Sequence, residues 1–163
     1  MSVNKYRSHI YVIPEDDANR QIANGFLFDP SLLNRQIQVL PEAGGWTQVL
    51  EQFRSNHVVG MDRYRNRFIV LLIDFDGNAE RLTKAKTEVP RHLTDRVPIL
   101  GALSKPEALR QANLGSYEDI GLAMAKDCRE GTDTTWGHRL LQHNKSELDR
   151  LRERVRPILF PPN

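Results

Sequence analysis

The stretch FIVLLIDFDG, Phe68 to Gly77, decides how this chain is read. Its first six residues are a continuous apolar run of strand length. A strand that is apolar at every position has no water-facing side. Such strands sit centrally in parallel sheets covered by helices on both faces. The run stops at once on Asp74, Phe75, Asp76 and Gly77, so two carboxylates follow the carboxyl end of a central strand. In open parallel sheets that end is where ligands bind.

Upstream of this stretch the pattern alternates. His9 to Ile13 is short, apolar and β-branched and reads as a strand closed by Pro14. Glu15, Asp16 and Asp17 follow it, and the acids suit the first turn of a helix over 18–28, whose Ile22, Phe26 and Leu27 recur at helical spacing. Gln36 to Leu40 is a second strand, and Gly44–Gly45 a turn. A helix from Trp46 to Ser55 places Trp46, Val49, Leu50 and Phe53 on one face.

Downstream, 79–93 predicts a helix broken at Pro90, and Val97 to Leu103 a fourth strand with Pro98 near its start. The rest is helical. Pro106 opens one helix, Ser116 caps another, with Asp119 three residues on, and Ser146 is expected to cap the last. The alternation predicts an α/β fold with a largely parallel four-stranded sheet flanked by helices, plus extra C-terminal helices. The chain is read as a single domain, 1–163, with an α/β core over 8–103 and a helical extension over 104–163.

Composition excludes several classes. At 163 residues and 39% hydrophobic, the chain holds enough apolar surface for one core without a disulfide or structural metal. The one cysteine, Cys128, can neither form an internal disulfide nor build a zinc site by itself. No segment approaches the ~20 apolar residues of a membrane span, and the N-terminus has no signal-peptide run. A cytoplasmic protein with no membrane partner is therefore expected. Net charge is only +2, but most of the 23 basic residues are arginine, whose forked guanidinium matches phosphates and carboxylates.

The sharpest feature is the set of acids behind two strands: Glu15 after the first, Asp74 and Asp76 after the third. If the strands are neighbours, these carboxylates share one crevice. On an extended chain Asp74 and Asp76 would face the same way. Carboxylates so crowded raise one another's pKa unless a cation is present, and magnesium or manganese with oxygen ligands resolves that cost. Asp16 and Asp17 are possible additional acids, although helix starts use Asp for capping alone. Arg20, Arg81 and Lys84 are the basic residues placed to touch a phosphate there. Arg63, Arg65 and Arg67 enter the third strand at its opposite end. The arginines at 150, 152, 154 and 156 read as the polar side of an amphipathic helix.

The pattern IYVIPE, followed some 59 residues later by VLLIDFDG, resembles the Toprim domain of topoisomerases, bacterial primases, recombination proteins and related nucleases. The resemblance is nearest to small stand-alone Toprim-like proteins that work beside an OLD- or ABC-type ATPase. It covers about residues 8–103. It implies that Glu15 acts in proton transfer and that Asp74 and Asp76 bind Mg2+ or Mn2+. The implied function is that of a metal-dependent nuclease or related phosphodiester-acting subunit. Nucleic acid is the implied partner, in defence or DNA repair. The alternative is a non-catalytic adaptor on the same fold. The family commonly has Gly soon after the Glu, whereas Asp16 and Asp17 stand here. The apolar stripes of the last two helices, Ile120 with Met124 and Leu148 with Val155, need a partner surface, and a homodimer or partner contact through the final helix is expected.

Overall fold

In the computed structural model, which describes residues 2–162, the apolar run at Phe68 is the core of a central strand. The strands are β1 (His9–Pro14), β2 (Ile37–Val39), β3 (Arg67–Leu72) and β4 (Ile99–Leu100). All pairings are parallel, in the order β2-β1-β3-β4. β1 and β3 pair along their whole length, from His9 opposite Arg67 to Pro14 opposite Leu72. The helices are α1 (Asp17–Phe26), α2 (Trp46–Asn56), α3 (Val58–Arg63), α4 (Glu80–Thr87), α5 (Pro106–Gln111), α6 (Tyr117–Glu130) and α7 (Lys145–Leu159). Among the described residues, no helix is long and apolar enough to cross a membrane.

Alternation along the strands makes two cores. Ile10, Val12, Phe68, Val70 and Leu100 face α1, α6 and α7. Tyr11, Ile13, Ile69, Leu71 and Ile99 face the side built by α2, α3 and α4. Period-two alternation puts neighbours on opposite faces, so a strand buried on both has to be apolar throughout, as FIVLLI is.

Several boundaries differ from expectation. Pro90 ends α4 early, and a 3-10 turn over Arg91–Arg96 replaces the second half of that helix. Val97 to Leu103 contributes only two ladder residues; Pro98 lacks an N–H, and beyond the strand single carbonyls still accept from the chain after β3, Ala102 O from Phe75 N–H at 3.1 Å. Helix α3 was not anticipated; it is a short helix directly behind α2. Ser116 caps α6 through the full reciprocal capping box with Asp119. Ser146 does not cap α7: the helix begins at Lys145, and Asn144 at the cap position turns its side chain to the sheet instead.

The apolar stripes expected to seek a second molecule are buried within the chain. Ile120, Met124, Leu148, Val155 and Leu159 all belong to the core on the α1 side of the sheet. Helix α1 lies against α6 so tightly that a Cβ on Gly121 would stand 1.9 Å from the Ile22 carbonyl oxygen, and one on Gly25 would stand 2.2 Å from that of Glu118.

Candidate functional site

The strand order reverses direction between β1 and β3: β2 lies on one side of β1, and β3 and β4 lie on the other. The carboxyl ends of two such strands open a crevice in doubly wound sheets. Glu15 and Asp74 stand at that point. The Glu15 N–H donates to Leu72 O at 2.9 Å, which continues the β1–β3 ladder one residue past its end. The Asp74 N–H in turn donates to Glu15 Oε2 at 2.6 Å. Two residues 59 apart in sequence are thus joined directly.

Asp74 is 6% exposed. Its Oδ1 accepts from Asn19 Nδ2 at 3.0 Å. Burial pushes its carboxyl up to about 7; the charges of Glu15, Asp16 and Glu107 add to the rise and the Asn19 hydrogen bond opposes it. Glu15 is half-buried. Burial raises its pKa too, against the hydrogen bond from the Asp74 backbone, and the Asp16 charge raises it further. A proton is therefore available within the pair near neutral pH.

Asp76 behaves differently. The strand ends at Leu72, and Asp76 has a left-handed backbone with φ of 50°. Extended-chain alternation does not reach it. Its Oδ2 lies 3.5 Å from Arg81 Nη2, with the side chain largely in solvent. Arg81 also donates to the Asp74 carbonyl through Nη1 at 2.9 Å, and its guanidinium lies over the Trp46 ring, 5.2 Å from the centroid. Lys84 is on the same ring, at 5.6 Å, and among the described residues it has no ion pair. The fold thus brings Glu15, Asp74, Arg81 and Lys84 to one end of the sheet and directs Asp76 to Arg81. Among the described residues, no three Asp, Glu, His or Cys side chains are grouped to hold a metal ion.

The remaining residues have local employment. Asp16 caps α1, accepting from the Asn19 N–H at 2.9 Å. Asp17 pairs with Arg20 and accepts from Gln21 at 2.6 Å. Arg20 also reaches Glu42 Oε2 at 3.0 Å, so its charge is already answered by two carboxylates.

Sequence reasoning missed Asn19 and the use of Trp46. Asn19 is 1% exposed on the inward stripe of α1 beside Ile22 and Ala23. A lone amide on an apolar face was the readable signal, because a buried amide requires a partner. Trp46 reaches the site because the segment after β2 stays beside β1: Ala43 N–H donates to Pro14 O at 2.9 Å and Gly44 N–H to Glu15 O at 2.8 Å. No protein-family model matches the chain, and no curated protein or solved structure is significantly similar to it.

Proposed function

We propose that this chain is a magnesium- or manganese-dependent, phosphodiester-acting subunit with a Toprim-like core, a nuclease or a close functional relative. The observation that carries the reading is the Glu15–Asp74 pair at the reversal point of a parallel sheet. The buried Asp74 carboxyl is costly to ionise beside the Glu15 charge, and a hard divalent cation with oxygen ligands relieves that cost. Asp74 would hold such an ion, with Asp76 joining it on release from Arg81. When bound, the metal supplies Lewis-acid polarisation of a phosphoryl oxygen. Glu15, its pKa raised by burial, suits the transfer of a proton. Lys84 and Arg81 suit the binding of phosphate oxygens, and Trp46 offers a ring on which a base could stack. The natural partners in this reading are nucleic acid and an OLD- or ABC-type ATPase, in the cytoplasm.

One observation favours a second reading, a non-catalytic adaptor on the same fold. Arg81 already supplies a positive charge beside Asp74 and Asp76, as a built-in substitute for a metal. Melting temperature separates the two. In the first reading, Mn2+ raises the melting temperature of the wild-type protein at pH 8 and not that of Asp74→Asn. Nicking of plasmid DNA or cutting of RNA with Mn2+, with or without an ATPase partner, is then lost in Asp74→Asn. If Mn2+ shifts neither protein and cutting is absent or unchanged by Asp74→Asn, the enzymatic reading fails.

A further inference from the structure

The opposite end of the sheet holds a buried cation with no counter-charge among the described residues. Arg67 opens β3 and is 6% exposed. Its guanidinium lies between two tyrosine rings, 4.6 Å from the centroid of Tyr11 and 4.7 Å from that of Tyr64. Its Nε–H donates to His9 Nε2 at 2.9 Å. His9 is fully buried, and its Nδ1 lies 2.7 Å from the Arg7 carbonyl oxygen. Nδ1 therefore carries the proton and Nε2 accepts, which fixes the imidazole as neutral. Burial and the nearby Arg67 charge both lower its pKa.

The surroundings add charge of the same sign. Lys5 and Arg63 also lie over Tyr64, at 6.0 and 5.4 Å. Among the described residues, Lys5, Arg63 and Arg67 form no ion pair with any carboxylate. The acid on the same short helix, Asp62, is engaged by His92 at 2.7 Å. The nearby backbone carbonyls accept from Arg96, whose Nη1 donates to Met61 O, Tyr64 O and Arg67 O at 3.1–3.2 Å. The Nη groups of Arg67 donate to no described acceptor, and they are not among the polar atoms sealed from water without a partner. Gly60 leaves room for them: a Cβ there would stand 2.7 Å from Nη1.

Buried charges in proteins are paired or bind ions, because an uncompensated one carries a large desolvation cost. We propose that Arg67 is the centre of an oxyanion site for a phosphate group, gripped by its two Nη groups and flanked by Lys5 and Arg63. The rigid ring sandwich presents the guanidinium fork in one orientation, which is what bidentate binding of a phosphate requires. The site is independent of the Glu15–Asp74 pair: seven residues of extended chain, roughly 23 Å, separate Arg67 from Asp74.

The test follows the Arg67 Nε–Hε resonance of the wild-type protein during titration with orthophosphate replacing chloride at constant ionic strength. The expected result is a saturable shift. Lys5→Gln combined with Arg63→Gln, both exposed and held by no carboxylate among the described residues, should weaken binding by about threefold or more, as rim charges do. Lys126→Gln, removal of one exposed charge on α6, should leave it unaltered. A 5′-phosphorylated dinucleotide and its unphosphorylated form distinguish the source. Competition by the phosphorylated form assigns the site to a nucleic-acid end. Binding of orthophosphate alone assigns it to free phosphate. An Arg67 resonance that does not move, or moves linearly and equally in chloride, overturns the proposal, and this readout needs no variant to fold.

Discussion

Asp74 combines near-complete burial with a carboxyl raised to about 7. Because the folded pKa lies above the unfolded one, the native state holds a proton that the unfolded chain gives up between about pH 4 and 7. Asp74 thus favours folding below that window, and the advantage is lost as pH rises through it, by at most roughly 1.4 kcal/mol per pH unit. Asp74→Asn keeps the shape and cannot ionise. Its melting temperature should match the wild type near pH 4 and exceed it increasingly toward pH 8; equal pH profiles for the two proteins would refute the shift. Cys128 is a second residue whose surroundings set its chemistry. Burial pushes its thiol up to about 11, so the thiolate is scarce at neutral pH. An aromatic disulfide reagent at pH 8 should label it only at the rate of global opening, and quickly once urea is added.

At the scale of elements, the sheet edge and one helix crossing carry the detail. Among the described residues, β4 has no neighbouring strand on its outer side. Asn144 takes that place: its Oδ1 accepts from Gly101 N–H at 3.1 Å and its Nδ2 donates to Gly101 O at 2.9 Å. Glu147 accepts from Ile99 N–H at 3.2 Å, and Leu103 N–H donates to Leu140 O at 2.9 Å. An edge covered this way offers no template for another strand. Asn144→Ala leaves two buried backbone groups without partners, so a loss of about 2–4 kcal/mol is expected in urea unfolding. The α1–α6 crossing predicts a reversal of a common rule. Gly→Ala inside an exposed helix normally stabilises by ~1 kcal/mol. Gly121→Ala should instead destabilise, because its Cβ would meet the backbone of α1. A rise in the urea midpoint would contradict this.

Over the whole molecule, the C-terminal sixty residues complete the fold rather than append to it. Trp136, Leu140, Leu141, Leu148, Val155, Leu159 and Phe160 share a core with the α1 face of the sheet. The arginines of α7 brace this packing: Arg150 pairs with Glu147 at 2.8 Å, Arg152 with Asp133 at 2.7 Å, and Arg154 lies over the Phe68 ring at 5.0 Å. Truncation after Thr135 would strip apolar cover from one side of the sheet. The shortened chain should lose its cooperative unfolding transition by circular dichroism. A truncated protein that melts cooperatively near the wild-type temperature would show that α7 is dispensable. The two ends of the sheet also differ in make-up: carboxylates and cations mix at the Glu15–Asp74 end, where Arg81 and Lys84 also lie, whereas Arg67, Lys5 and Arg63 gather at the other.

The sequence by itself determined the strand-and-helix alternation, the parallel sheet and the placement of acids behind β1 and β3. Each of these follows from local pattern: an apolar run needs two covered faces, and a strand of this kind needs a helical return. Capping at Ser116 was legible for the same reason, since the box is a four-residue contact. Only tertiary structure decided that β1 and β3 are neighbours, which joins Glu15 to Asp74, and that the turn at Asp76 sends its carboxylate to Arg81. Only tertiary structure gave Asn144 to the sheet edge instead of its own helix, and buried the stripes of α6 and α7 at home. These outcomes depend on which backbone groups are left unpaired after the sheet forms, and that is a property of the assembled chain, not of any one segment.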